Sequence, residues 1–193
     1  MEIEGLRNCR LCELHKTRSH VLLGEGDPNA QIMFIAQAPG ELEDKENKMF
    51  IGPSGKILDM LFLASGFSRK DVYLTNLIKC RLPKNRRPRQ REIIACSVYL
   101  EQEIMIVNPD ILVPLGYYAT KYLFAKYELS PFAKKEYPEK IGISYQIKNR
   151  IIFPLSHPAS LLYHDEFTAG NIDNCRKLRN LLILPDDLEV YQL

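Results

Sequence analysis

Four short apolar runs, at residues 31–36 (QIMFIA), 72–78, 110–115 and 150–153, alternate with stretches whose apolar residues recur at helical spacing. No other feature restricts the fold as strongly. Short strands of this kind need cover on both faces, and helices between them supply it. The helical stretches are 54–65, stopped by Gly66; 90–107, stopped by Asn108-Pro109; a segment from Gly116 to about Tyr127; and 171–184, closed by Pro185. The pattern predicts the α/β class: a three-layer α/β/α sandwich with a central, mostly parallel four-stranded sheet. With 193 residues, 46% of them apolar, the chain suffices for a single domain over residues 1–193. Residues 130–149 are less regular and are read as a loop with a short extra strand.

Open parallel sheets bind ligands beyond the carboxyl ends of their strands. There the first run is followed by Gln37-Ala38-Pro39-Gly40 and the second holds Thr75-Asn76-Leu77. The third is followed by Gly116, and the fourth by Ser156-His157-Pro158-Ala159. Each residue has an ordinary structural reading on its own. Together, Gln37, Asn76 and His157 would meet on one rim, as a site for a flat polar ligand requires. No Ser-His-Asp order and no HExxH motif is present. Gly24-Glu25-Gly26 is not a phosphate-binding fingerprint, because a strand follows it rather than a helix.

Cys9 and Cys12 form a C-x2-C, and Cys80 and Cys96 a C-x15-C far downstream; Cys175 is left over in a helical pattern and is read as a structural thiol. The acidic start Met1-Glu2-Ile3-Glu4 lacks a secretory signal's apolar core, and no run is long enough to span a membrane. The expected location is therefore cytoplasmic. Thiols stay reduced there, which favours metal over disulfides. Four cysteines alone suit either zinc or an iron–sulfur cluster. The net charge of +2 is uninformative, but seven basic residues lie between Lys79 and Arg91, in a loop broken by Pro83 and Pro88. Such a stretch is either a solvated loop or a phosphate-contacting surface.

These residues also fall into a known order. Residues 36–44 (AQAPGELED) with 50–55 (FIGPSG), residues 73–81 (YLTNLIKCR) and residues 157–162 (HPASLL) resemble the motifs of family 4 uracil-DNA glycosylases, and the four cysteines match that family's spacing. The likeness runs from about Cys9 to Leu162. It implies an α/β/α sandwich, excision of uracil from DNA, and a [4Fe–4S] cluster on Cys9, Cys12, Cys80 and Cys96, with zinc the runner-up. By the same resemblance, Phe50 would stack on the extruded base and Asn76 would read the uracil amide edge. Glu43 would sit against C5 and exclude a thymine methyl, and His157 would donate to O2. Gln37 joins His157 as catalytic, Ala38 and Gly40 join the substrate-binding set, and Ser54, Lys79, Arg81 and Arg86 join the DNA-binding set. Leu161 or Leu162 would wedge into the duplex.

The chain departs from the family in three places. Gln37 stands where a Glu is usual. Ala38 stands where the related GQDPYH motif of family 1 has its Asp, so neither position offers a strong base. Tyr163 replaces a common Arg. The expected partner is uracil-containing DNA, met by a monomer with no membrane association. A sliding clamp is a further candidate partner, although the chain carries no clear clamp-binding motif. The competing readings are a metal-stabilised nucleic-acid-binding protein without catalysis and, more weakly, an electron carrier.

Overall fold

A computed structural model describes residues 3–162 and 168–182. The predicted Tyr163 departure and the predicted helix end at 183–184 lie outside them. In chain order the elements are β1 (Glu25–Gly26), β2 (Ile32–Ala36), α1 (Glu41–Glu46), α2 (Pro53–Ser65), β3 (Tyr73–Asn76), α3 (Gln90–Val107), β4 (Ile111–Pro114), α4 (Tyr117–Lys126), β5 (Tyr145–Ile147), β6 (Arg150–Ile152), α5 (Pro158–Leu161) and α6 (Thr168–Leu181). The sheet runs β1-β3-β2-β4-β6-β5.

The four predicted strands are the central four, β3-β2-β4-β6, all parallel. The sheet nevertheless has six strands, not four. β1 pairs antiparallel with β3 at one edge, and β5 pairs antiparallel with β6 at the other. Each added strand is only two or three residues long, too short for periodicity to reveal. The extra strand expected within 130–149 is β5. Helix α1, six residues long, also escapes a period-based reading.

β2 shows why the sheet needs helices on both faces. All five of its residues are buried. Met33 and Ile35 join one core with Leu100 and Ile104 of α3 and Leu123 of α4. Ile32, Phe34 and Ala36 join the other with Leu58 and Phe62 of α2 and Leu178 of α6. Alternate side chains of one strand thus enter two cores, which is what a three-layer sandwich demands. Gly66 and Asn108 end α2 and α3 in the left-handed conformation, as their residue types forecast.

Candidate active site

The carboxyl ends of β2, β3 and β6 open into one cleft of about 320 Å³. Gln37, directly after β2, and Asn76, the last residue of β3, lie side by side because Ala36 and Asn76 are in register. Leu115 and Leu155 form a parallel bridge beyond β4 and β6, carrying the chain to His157. Gln37, Ala38, Gly40, Glu43, Phe50, Ser54, Asn76 and His157 all line the cleft. The structure therefore gathers every predicted catalytic and substrate-binding residue, and Ser54, in one place. Met49, Leu82 and Asn85 also line it and were not foreseen. Nothing in the chain marks Met49 beyond its place before Phe50.

Glu43 is buried, and its Oε1 accepts the Gly52 N–H at 2.8 Å. A Cβ on Gly40 would run into Glu43 Oε2. The carboxylate is thus clamped between two glycine-bearing turns. Phe50 adopts the left-handed conformation at φ 51°, which for a bulky residue costs about 1–3 kcal/mol. Gly55 allows it, because a Cβ there would collide with the Phe50 carbonyl. Asn76 is 3% exposed, and its Nδ2 donates to Met49 Sδ at 3.2 Å. A thioether is a weak acceptor, so the carboxamide keeps most of its bonding capacity for a ligand. The Gln37 carboxamide has no hydrogen-bond partner among the described residues.

His157 is half-buried at the start of α5. The Ala159 N–H donates to its Nδ1 at 3.1 Å. Nδ1 must then be unprotonated, so the neutral ring carries its proton on Nε2 and can donate from there. Desolvation pushes the His157 pKa down to about 4, which keeps the ring neutral at physiological pH.

The basic loop differs from expectation. Lys79, expected on phosphate, is fully buried. It pairs with Glu103 of α3 and donates to Thr75 Oγ1 at 2.6 Å. The Glu103 carboxylate and Thr75 hydroxyl hold its ammonium in the core. Arg81 is half-buried and bonds Glu41 at 2.8 Å. Arg86 grips the Glu92 carboxylate through two bonds of 2.9 and 2.5 Å and holds that carboxyl below the usual carboxylate range. Glu92 also accepts the Arg89 N–H at the start of α3. The three basic residues chosen from sequence are thus occupied by internal pairs, whereas Lys84, Arg87 and Arg91 stand exposed. Of the two wedge candidates, Leu161 is 3% exposed and packed in the core; Leu162, at 37%, is free to reach out.

Cys9, Cys12, Cys80 and Cys96 line a second, small cavity walled by Leu6, Leu11, Val21 and Ile78. Burial pushes the Cys96 thiol up to about 12 and raises those of Cys12 and Cys80 too. Ligation must overcome that cost. Arg18 donates to Cys80 Sγ at 3.3 Å and to the Cys9 carbonyl at 2.7 Å, and the Lys79 N–H donates to Cys96 Sγ at 3.2 Å. Donors aimed at sulfur suit thiolate ligands of a metal group, so the donor set fits one. The next residues, Ser19 and His20, give their N–H groups to the buried Asp44 carboxylate at 3.0 and 3.2 Å. Three consecutive residues thereby tie the cysteine arm to α1, which carries Glu43. Cys175 is buried between α6 and α2, with its thiol pushed up to about 11 by burial, as a structural thiol should be.

An open α/β sheet thus brings a carboxamide, an aromatic ring, a carboxylate and a neutral imidazole together in one cleft at the carboxyl end of its strands. The chain belongs to the uracil DNA glycosylase superfamily, whose family model matches residues 23–181. It is similar to the Type-4 uracil-DNA glycosylase of Sulfurisphaera tokodaii, at 40% identity over 94% of this chain and 84% of that one. The corresponding proteins of Archaeoglobus fulgidus (31% identity; 93% and 90% covered) and Thermotoga maritima (37%; 84% and 83%) are also similar. Among the described residues no helix is long and apolar enough to cross a membrane.

Proposed function

We propose that the chain is a monofunctional uracil-DNA glycosylase, hydrolysing the N-glycosidic bond of deoxyuridine in DNA and leaving an abasic site. The observation that carries this is the meeting of Phe50, Asn76, Glu43 and His157, drawn from four separate segments, in one cleft of about 320 Å³. The extruded base stacks on Phe50. Asn76 donates to O4 and accepts from N3–H, a pattern that cytosine inverts. Glu43 occupies the space a thymine methyl would need.

As the C1′–N1 bond breaks, its electron pair passes to the base and the sugar becomes oxocarbenium-like. Negative charge gathers on O2, where His157 Nε2–H donates. One such donor contributes about 10²–10³ in rate. Water adds to C1′ and its proton passes to solvent. Gln37 orients that water through its carboxamide, and with Ala38 beside it no strong base assists. A sugar so electrophilic needs little more than a placed water. Lys84, Arg87 and Arg91 supply phosphate contacts in place of the internally paired Lys79, Arg81 and Arg86, and Leu162 is the wedge.

The four thiols hold a [4Fe–4S] cluster with a structural role, fixing the DNA-facing loop against the N-terminal arm. Four thiols lining one cavity would suit zinc as well; the resemblance of the cysteine spacing to that of family 4 uracil-DNA glycosylases is what favours the cluster.

The test is incubation of the purified protein with a uracil-containing oligonucleotide, scored by alkali-labile abasic sites, beside an Asn76→Ala variant. Cleavage by the parent and its loss in the variant, with the metal retained, is expected. An intact metalloprotein that makes no abasic sites would instead be the binding protein without catalysis, the reading that Gln37 and Ala38 favour. A brown protein with broad visible absorbance is expected; a colourless one would mean zinc.

A further inference from the structure

Phe50 sits in the cleft in a conformation that its residue type disfavours, and the residue that compensates lies outside the cleft. Arg69, in the connection from α2 to β3, donates Nη2 to the Phe50 carbonyl at 2.6 Å and Nη1 to the Met49 carbonyl at 3.0 Å. Its remaining edge faces Asp59 of α2, with Nε to Oδ1 at 2.6 Å and Nη2 to Oδ2 at 3.1 Å. One guanidinium therefore fastens two successive carbonyls of a strained turn to a helix whose first turn, at Gly55, already presses on the same Phe50 carbonyl. Arg is suited to this, because its planar fork offers several donors in fixed directions.

The rest of the turn is fastened by groups of this chain as well. The Met49 N–H donates to Glu25 Oε1 at 3.0 Å, and Met49 Sδ receives the Asn76 amide. The Gly52 N–H is held by Glu43. Arg69 is the only cation among these groups, and its hydrogen bonds to the turn go to backbone carbonyls.

We infer that Arg69, oriented by Asp59, is a positioning residue for the uracil-excision reaction: it locks Phe50 in the left-handed conformation that presents the ring to the extruded base. The inference rests on the proposed uracil-excising function. A strained backbone persists only where its surroundings over-determine it. Without the guanidinium the Phe50 backbone relaxes, the stacking platform leaves the cleft, and Met49 no longer faces Asn76.

The test is a double-mutant cycle of Arg69→Ala and Phe50→Ala, read by single-turnover release of uracil with excess protein, at a temperature where thermal melts show all four proteins folded. Arg69→Ala should slow uracil release roughly tenfold in the parent but less than about twofold in the Phe50→Ala background. Arg69→Lys, which keeps the charge but loses the fork, should fall between. Absence of loss, or the same loss in both backgrounds, overturns the inference, because a merely stabilising Arg69 would act regardless of Phe50.

Hydrogen exchange separates this from failure of the functional reading. If the parent releases no uracil, that reading fails and the clamp is judged by exchange alone. Faster exchange at the Met49 and Gly52 amides in Arg69→Ala, with α3 unchanged, supports it, and unchanged protection of both overturns it.

Discussion

Substituting Lys79 with Met separates two roles for the same residue. Both Lys79 and Glu103 side chains are 0% exposed. Glu103 also accepts the Gly24 N–H at 3.2 Å and the Thr75 hydroxyl at 2.6 Å, so it links α3 to β3 and to the approach to β1. Lys79→Met leaves that carboxylate in the core with two neutral donors and no cation. Breaking a buried pair from one side costs about 3–5 kcal/mol. In a chain of this length each kcal/mol moves Tm by about 2–4 °C, so a fall of roughly 6–20 °C is expected. Glu103→Gln added to Lys79→Met removes the stranded charge while keeping an acceptor, and should recover a large part of the loss. The assays are thermal unfolding by circular dichroism and the salt dependence of binding to uracil-free duplex. A phosphate-contacting lysine contributes about 0.9 to the slope of log K against log salt. The slope should stay as it is in Lys79→Met. A Tm within about 2 °C of the parent together with a slope reduced by about one would refute the reasoning, placing Lys79 on the DNA.

Three further expectations concern the cleft. With His157 as the proposed neutral Nε2–H donor and its pKa pushed down to about 4 by burial, uracil release should persist through pH 6.5 and fall as pH drops through about 4. An acid limb near 6.5 in single-turnover rates would mean a solvated, freely titrating ring. Because the folded pKa lies below the unfolded value of 6.5, the unfolded chain takes up the proton first; stability from the neutral ring is complete above about 6.5 and declines toward 4, measurable by melts across that window. Gly40→Ala places a methyl against Glu43 Oε2 and should slow uracil release roughly ten- to a hundredfold with the visible spectrum unchanged; a parental rate would show that Glu43 yields at no cost.

Much of the fold was legible because the central strands are buried on both faces, which leaves a mark in composition as well as in period. The strand-end rule alone puts Gln37, Asn76 and His157 on one rim. What stayed hidden depends on pairing between distant positions. A lysine among six other basic residues reads as surface, and only Glu103, on a different element, draws it inside. Arg86 reads from sequence as a phosphate ligand, and its pairing with Glu92, at the start of α3, becomes visible only in the structure. The left-handed Phe50 and the Arg69 that fastens it leave no local mark, since Phe is not a residue whose type forecasts that conformation. Leu161 and Leu162 are chemically alike, and the packing of α5 decides which one is free.

The two edge strands matter beyond their size. A parallel sheet left bare on its flanks offers rows of free peptide groups, a template to which another chain can add. Here each flank ends in an antiparallel strip of two or three residues. That length leaves, among the described residues, few free peptide groups at either edge onto which a neighbouring chain could extend the sheet.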